Sequence, residues 1–234
     1  MDFKIKERLL SRKLIKFKQE FPDLPEDQLL TLLKLRRKNR AGIAAMFRDL
    51  NDKSMIDGLT ELHNLRCFSL SLDREIAVQE RETDKSLSII VIDIDHFKII
   101  NDNFGGHLAG DKFLKDIAAL LKCAVRNTDI VARTGGDELA IILPNTDLED
   151  AQAIAEKLRK KIENMEVNFK DPKTGENKIL TATASLGVAQ RLPKETAEQL
   201  RKRADDKLYE AKDAGRNKVV VCDGKTGSGE VTTA

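Results

Sequence analysis

Three acids in this 234-residue chain stand where acids can do chemistry: Asp93, Asp137 and Glu138. Asp93 lies near the end of a near-continuous apolar run, LSIIVIDI at Leu87 to Ile94, as expected of a buried central strand that delivers an acid at its end. Asp137 and Glu138 follow Thr134-Gly135-Gly136 inside IVARTGGDELAIIL, where two β-branched and aliphatic runs flank a turn. That pattern predicts a β-hairpin whose turn draws on the backbone freedom of glycine. Neighbouring residues of a strand face opposite sides, so keeping two acids there is costly without a cation. If the strand and the hairpin are neighbours in one sheet, the three carboxylates converge. Hard oxygen donors with no His or Cys beside them favour Mg²⁺ or Mn²⁺ over zinc, and Mg²⁺ commonly completes its shell with substrate phosphates. Plainer readings stay open: a solvated hairpin tip for Asp137 and Glu138, and a helix-capping acid for Asp93.

The implied phosphate ligand has candidate partners. Lys98, Lys212 and Arg216 supply a point charge or a two-pronged donor suited to a polyphosphate, although each taken singly is also an ordinary surface charge. Asn101 and Asp111 suit a base. A carboxylate accepts from guanine's ring N–H and exocyclic amine, whereas adenine lacks that ring proton, and a buried polar site rejects the partner that leaves it unpaired. The alternative for Asp111 is a favourable charge near a helix N-terminus.

These side chains need elements to hold them. Helical spacing is expected over Phe68 to Arg81, Ala109 to Arg126, Leu148 to Asn164 and Thr196 to Ala214. Strands are expected at Leu87 to Ile94, on both sides of Thr134-Gly135-Gly136, as a pair ending near Ile179 to Gln190, and at Lys218 to Cys222. Lys98 to Asn103 with Gly105-Gly106-His107 reads as a connection. Strands and helices alternate, and the hairpin excludes a purely parallel sheet, so the fold class is α/β with a mixed central sheet and flanking helices.

Ahead of this domain, residues 3–21 have loosely helical apolar spacing broken at Phe21-Pro22-Asp23-Leu24-Pro25, and a second helix is expected to about Leu50. A seam through Leu29, Leu33, Ile43, Phe47 and Leu50 is interrupted by Arg36 and Arg40, so coiled-coil pairing competes with packing on the rest of the protein. The organisation expected is a helical regulatory or dimerisation segment at 1–50, a main domain at 51–222 and a flexible tail at 223–234. Gly224-Lys225-Thr226 in that tail is no phosphate loop, because the motif's first glycine would have to stand at Val219.

The net charge of +2 hides an asymmetry: residues 1–50 hold 13 Lys or Arg against 7 Asp or Glu, giving +6 there and −4 in the remainder. A basic segment can meet an anionic membrane, nucleic acid or an acidic partner, but a solvated helix face accounts for it equally, and no nucleic-acid partner is expected. No apolar run approaches the roughly 20 residues of a membrane span, and MDFKIKERLL lacks a signal's apolar core, so a cytoplasmic location is expected. Cys67, Cys123 and Cys222 are odd in number and lack C-x-x-C pairing, which points away from a disulfide framework or a zinc site.

The motifs as a set resemble the GGDEF domain of bacterial diguanylate cyclases. Gly135-Gly136-Asp137-Glu138-Leu139 stands for the signature, with Leu139 in place of the usual Phe. Around it are Asp57-x-Leu59-Thr60-x-Leu62-x-Asn64, Asp93-x-Asp95-x-Phe97-Lys98-x-x-Asn101-Asp102, Gly106-His107-x-x-Gly110-Asp111, Ser185-x-Gly187 and Ala204-Asp205-x-x-Leu208-Tyr209-x-Ala211-Lys212-x-x-Gly215-Arg216-Asn217. Leu65 replaces the usual basic residue after Asn64. The resemblance implies a palm-like fold similar to that of adenylyl cyclases, and the condensation of two GTP into cyclic di-GMP with release of two pyrophosphates. It implies two Mg²⁺ or Mn²⁺ per active site on Asp93, Asp137, Glu138 and the Ile94 carbonyl. Phe97, Lys98, Asn101, Asp111, Lys212 and Arg216 would line the GTP site, and Asp137, Glu138, Asp93 and Lys212 would carry catalysis, with Asp137 the candidate for taking the proton. One GTP per domain implies a homodimer, for which residues 1–50 would raise the effective concentration.

Arg126-Asn127-Thr128-Asp129 precedes Gly135 with five residues between. In the resembled family an R-x-x-D so placed is an inhibitory site for the product, implying that Arg126 and Asp129 hold cyclic di-GMP. Two other readings compete: a catalytically silent cyclic di-GMP receptor using Arg126 and Asp129, and a partner-binding or peripheral membrane device in the N-terminal helices.

Overall fold

The computed structural model describes residue 18 and residues 55–82, 85–103, 106–171 and 175–222. The helices expected within residues 1–50, residue 18 aside, and the tail at 223–234 lie outside the described residues.

Among described residues 55–222, eight strands and five helices follow in chain order. They are β1 (His63–Asn64), α1 (Leu65–Gln79), β2 (Leu87–Ile94), α2 (Phe97–Asn103), α3 (His107–Ala124), β3 (Ile130–Arg133) and β4 (Glu138–Pro144). After these come α4 (Leu148–Glu163), β5 (Val167–Lys170), β6 (Asn177–Leu180), β7 (Ala184–Gln190), α5 (Ala197–Asp213) and β8 (Val219–Cys222). Six strands form one sheet in the order β1-β3-β4-β2-β7-β8, parallel at its two outer pairs and antiparallel within, and so mixed as expected.

Every residue of β2 is buried, because β4 and β7 cover its edges and helices cover both its faces. Alternation then decides which helices each side chain meets. Ile90, Ile92 and Ile94 join Phe113, Ile117, Leu121, Leu158 and Ile162 of α3 and α4. Ile89 and Val91 join Phe68 and Leu72 of α1 and Leu200, Ala204 and Leu208 of α5. By the same period Asp93 lies on the α1–α5 face.

Two sequence expectations change here. Lys98 to Asn103 is not an open connection but part of the seven-residue helix α2, too short to show a full apolar period. The strands near Ile179 to Gln190 do not pair with each other: β6 joins β5 in a separate two-stranded sheet, while β7 joins β2 and β8.

The α5 helix lies hard against β7. A Cβ on Gly187 would come within 2.1 Å of the Ala204 carbonyl oxygen and 2.4 Å of the Leu208 nitrogen, both backbone atoms. Gly187→Ala is therefore expected to destabilise the chain by about 3 kcal/mol, read as a lower urea midpoint at unchanged slope. An unchanged midpoint would mean that α5 moves off the sheet at no cost.

Candidate active site

Asp93 of β2 and Glu138 of β4 are direct partners in the antiparallel register, so the strand-end acid and the hairpin acid sit side by side on the α5 face. The α5 helix buries Leu200, Ala204, Leu208 and Ala211, and the next residue, Lys212, reaches the sheet with Nζ 2.8 Å from Asp93 Oδ2. Burial pushes the Asp93 carboxyl up; Lys212 counters this, but the Asp137 and Glu138 charges add to it. Asp205, two helical turns before Lys212 on α5, is likewise pushed up, first by burial and then by Glu138 despite its Arg201 partner. Sequence reasoning assigned Asp205 no role. Positive charge is thus short at this end of the sheet. Among the described residues no three His, Cys, Asp or Glu side chains are already gathered as a metal cluster, and Lys212 is the cation standing on Asp93.

The hairpin turn is built differently from its sequence reading. Neither Gly135 nor Gly136 has a positive φ, so the turn does not use glycine's left-handed freedom. What lies close at Gly135 is a side chain: a Cβ there would lie 2.6 Å from Glu138 Oε2, the end of an exposed side chain that would have to shift. The N–H groups of Thr134 and Gly135 both donate to the Glu138 carbonyl, closing the loop that carries Asp137.

Arg133 was also missed by sequence reasoning. Its Nε and Nη2 donate to the Gly136 carbonyl at 3.1 and 2.7 Å, and Nη1 donates to both Asp57 oxygens at 3.2 Å. Asp57 Oδ1 accepts in addition from the Thr60 N–H and hydroxyl at 2.8 and 2.6 Å. One guanidinium thereby joins the turn at 57–60 to the glycine turn. Burial pushes the Asp57 carboxyl up, but the Thr60 donors and Arg133 outweigh it and hold it below the usual range. Such a group contributes stability above its unfolded pKa and loses it as pH falls through the lowered value. Arg133→Ala is expected to cost about 2 kcal/mol and to flatten this acid-side loss, both visible in urea midpoints taken across acid pH. A variant as stable as wild type throughout would show that the clamp adds nothing.

Of the base-reading candidates, Asn101 of α2 lies against Gly110 of α3, the residue before Asp111. Asn101 Oδ1 is the one buried side-chain polar atom among the described residues without a hydrogen-bond partner, and it lies where a Cβ on Gly110 would come within 2.2 Å. Asp111 follows Gly110 and is half-buried, past the first turn of α3, which contains no acid. Phe97 packs on the core below, whereas Lys98 is exposed. Arg216 is exposed in the turn after α5, and Ile94 is buried at the end of β2.

Arg126 and Asp129 form a self-contained turn between α3 and β3. The Arg126 N–H donates to Asp129 Oδ2 at 2.8 Å, and the Asp129 N–H donates back to the Arg126 carbonyl. In this pair backbone N–H rather than guanidinium meets the carboxylate.

Residues 54–218 match the family model described as Diguanylate cyclase, GGDEF domain, and the chain belongs to that family. Over 173 residues, 74% of this chain, it is 42% identical to diguanylate cyclase DgcP of Pseudomonas aeruginosa, of which the match covers 25%. Over 167 residues, 71% of this chain, it is 38% identical to diguanylate cyclase VdcA of Vibrio cholerae, of which the match covers 47%. The chain thus spans between a quarter and about half the length of these curated relatives. The GGDEF domain of DgcB from Caulobacter crescentus, solved in complex with c-di-GMP, superposes with a TM-score of 0.65 at 34% identity over 71% of this chain and 92% of that one. Diguanylate cyclase SiaD of Pseudomonas aeruginosa, solved with its activator SiaC, gives 0.67 at 30% identity over 94% of this chain and 86% of that one. No helix among the described residues is long and apolar enough to cross a membrane.

Proposed function

We propose that the chain is a diguanylate cyclase that joins two GTP into cyclic di-GMP across a homodimer. One juxtaposition carries this reading: Asp93 and Glu138 face each other across β2 and β4, short of positive charge, with Lys212 on Asp93. An all-oxygen donor set of Asp93, Asp137, Glu138 and the Ile94 carbonyl suits Mg²⁺ or Mn²⁺, two per site in this reading. These residues would hold the ion, which when bound would supply neutralisation of the charge that develops at the attacking 3′-oxygen and the α-phosphate.

The chain's own residues supply the rest. Lys212 and Arg216, with Lys98, bind the polyphosphate, and Asn101 and Asp111 hold guanine beside Phe97. Asp137, at the mouth of the hairpin, accepts the proton of the 3′-hydroxyl; the 3′-oxygen bonds to the α-phosphorus of the GTP on the facing chain, and pyrophosphate leaves. Because each chain presents one GTP, two must face each other. Residues 1–50 serve as the segment that raises their effective concentration. Arg126, whose guanidinium has no partner among the described residues, and Asp129 form the product-inhibition site; DgcB, a relative of known structure, was solved with c-di-GMP bound.

Purified protein incubated with GTP and Mg²⁺ is expected to form cyclic di-GMP, with specific activity rising with protein concentration by mass-detected turnover. Product binding without turnover, unchanged by Asp137→Ala, would instead make the chain a cyclic di-GMP receptor.

A further inference from the structure

Asp95 is a carboxylate that the proposed chemistry does not use. It is only 4% exposed, just past the end of β2, and its oxygens accept from the hydroxyls of Thr183 at 2.6 Å and Ser185 at 2.7 Å and from the Asn217 N–H at 3.0 Å. No cation pairs with it among the described residues. Burying a carboxylate on neutral donors alone is costly, so its placement points to what those donors hold.

The Asn217 N–H belongs to an unusual turn. Gly215, Arg216 and Asn217 have φ of 103°, 62° and 48°, three left-handed residues in succession, two of them not glycine. That conformation costs an L-residue roughly 1–2 kcal/mol and persists only where its surroundings hold it. Here the anchors are explicit. Arg216 N–H donates to the Ala211 carbonyl, and Asn217 N–H donates to Asp95. The Asn217 side chain accepts from Arg159 Nη1 at 2.7 Å and donates to Glu163 Oε1 at 2.7 Å, both on α4. Between these anchors Arg216 points outward, with no partner for its guanidinium among the described residues.

We propose that Asp95 and Asn217 are positioning residues that hold the Arg216 guanidinium toward the substrate polyphosphate. Asp95 stands two residues beyond Asp93, so it ties the turn bearing Arg216 to the strand bearing the metal-site acid. The pair acts through Arg216 and touches no reacting atom. This rests on the cyclase reading, specifically on Arg216 as a phosphate ligand.

The test is steady-state cyclase kinetics and equilibrium GTP binding on the full chain, with Asn217→Gly, Asp95→Asn, Arg216→Ala and the Asn217→Gly/Arg216→Ala double variant. Glycine keeps the left-handed φ and the N–H to Asp95 while removing the bridge to Arg159 and Glu163, so the test stands even if buried Asp95→Asn does not fold. Asn217→Gly is expected to raise the GTP KM about tenfold with a smaller change in kcat, and to leave guanosine affinity unmoved. In the Arg216→Ala background the same change is expected to add nothing. An unmoved GTP KM, or an equal loss with and without Arg216, would overturn the proposal while leaving the cyclase reading intact. Wild-type protein that does not bind GTP would overturn both.

Discussion

Asp93→Asn is expected to abolish cyclic di-GMP formation while making the metal-free chain more stable. The activity loss is placed at roughly 10²–10³-fold or more, the scale of removing one group aimed at developing charge. The stability gain follows from the opposite side of the same site. Burial and the neighbouring Asp137 and Glu138 charges push the Asp93 carboxyl up further than Lys212 can pull it down. The folded chain therefore binds that proton more tightly than the unfolded chain. The stability this group contributes is complete below the ordinary carboxylate range and is lost as pH rises through the raised value, so at neutral pH the ionised Asp93 is a cost. Replacing it with a neutral isostere removes that cost.

The gain should show as a higher Tm of the variant, and it should open only as pH rises through the ordinary carboxylate range. Melting both proteins in a chelator across that range measures it. A wild-type chain more stable than the variant at every pH would mean that the Lys212 ion pair outweighs burial and repulsion together. Gain of stability with loss of activity is what a site held for charge chemistry produces, whereas a strand-end acid kept for packing or capping would lose stability on substitution.

How far this site could be read from sequence varies with the range of the interaction. The buried strand β2 was legible to the residue, because eight apolar-rich positions leave little other use for the segment. The helices α4 and α5 end within a residue or two of their expected bounds, since their apolar period is long enough to be unambiguous. The short helix α2 was not, because seven residues hold too little of a period. Long-range partners left no local trace. Lys212 meets Asp93 across most of the domain, and the clamp from Arg133 to Asp57 depends on β1 pairing with β3, a two-residue strand that propensity does not announce. The glycine turn was placed correctly for a reason that does not hold: neither Gly135 nor Gly136 has a positive φ, and the Glu138 side chain lies close over Gly135 instead.

Asp111→Ser is expected to relax the choice of GTP over ATP by about 10²-fold or more in kcat/KM, the second large effect. A carboxylate facing guanine accepts from the ring N–H and the exocyclic amine; facing adenine it meets an acceptor and is left half-buried and unpaired. Serine removes that penalty, because its hydroxyl can donate or accept. The surroundings favour such a role. Asp111 lies past the first turn of α3, where a helix gains little from a negative charge, and directly follows Gly110, whose missing Cβ lets the Asn101 amide come close. The Asn101 oxygen, buried without a partner, is an acceptor that an amine on the base edge would satisfy. The two positions therefore separate affinity from discrimination. Asn101→Ala should weaken GTP about tenfold while ATP remains rejected, since the repelling carboxylate is still present. Asp111→Ser should admit ATP even where GTP turnover falls little. Competition between the two nucleotides at fixed total concentration reads both effects. An unchanged preference in Asp111→Ser would assign the rejection of adenine to another group and leave Asp111 as a solvated helix charge.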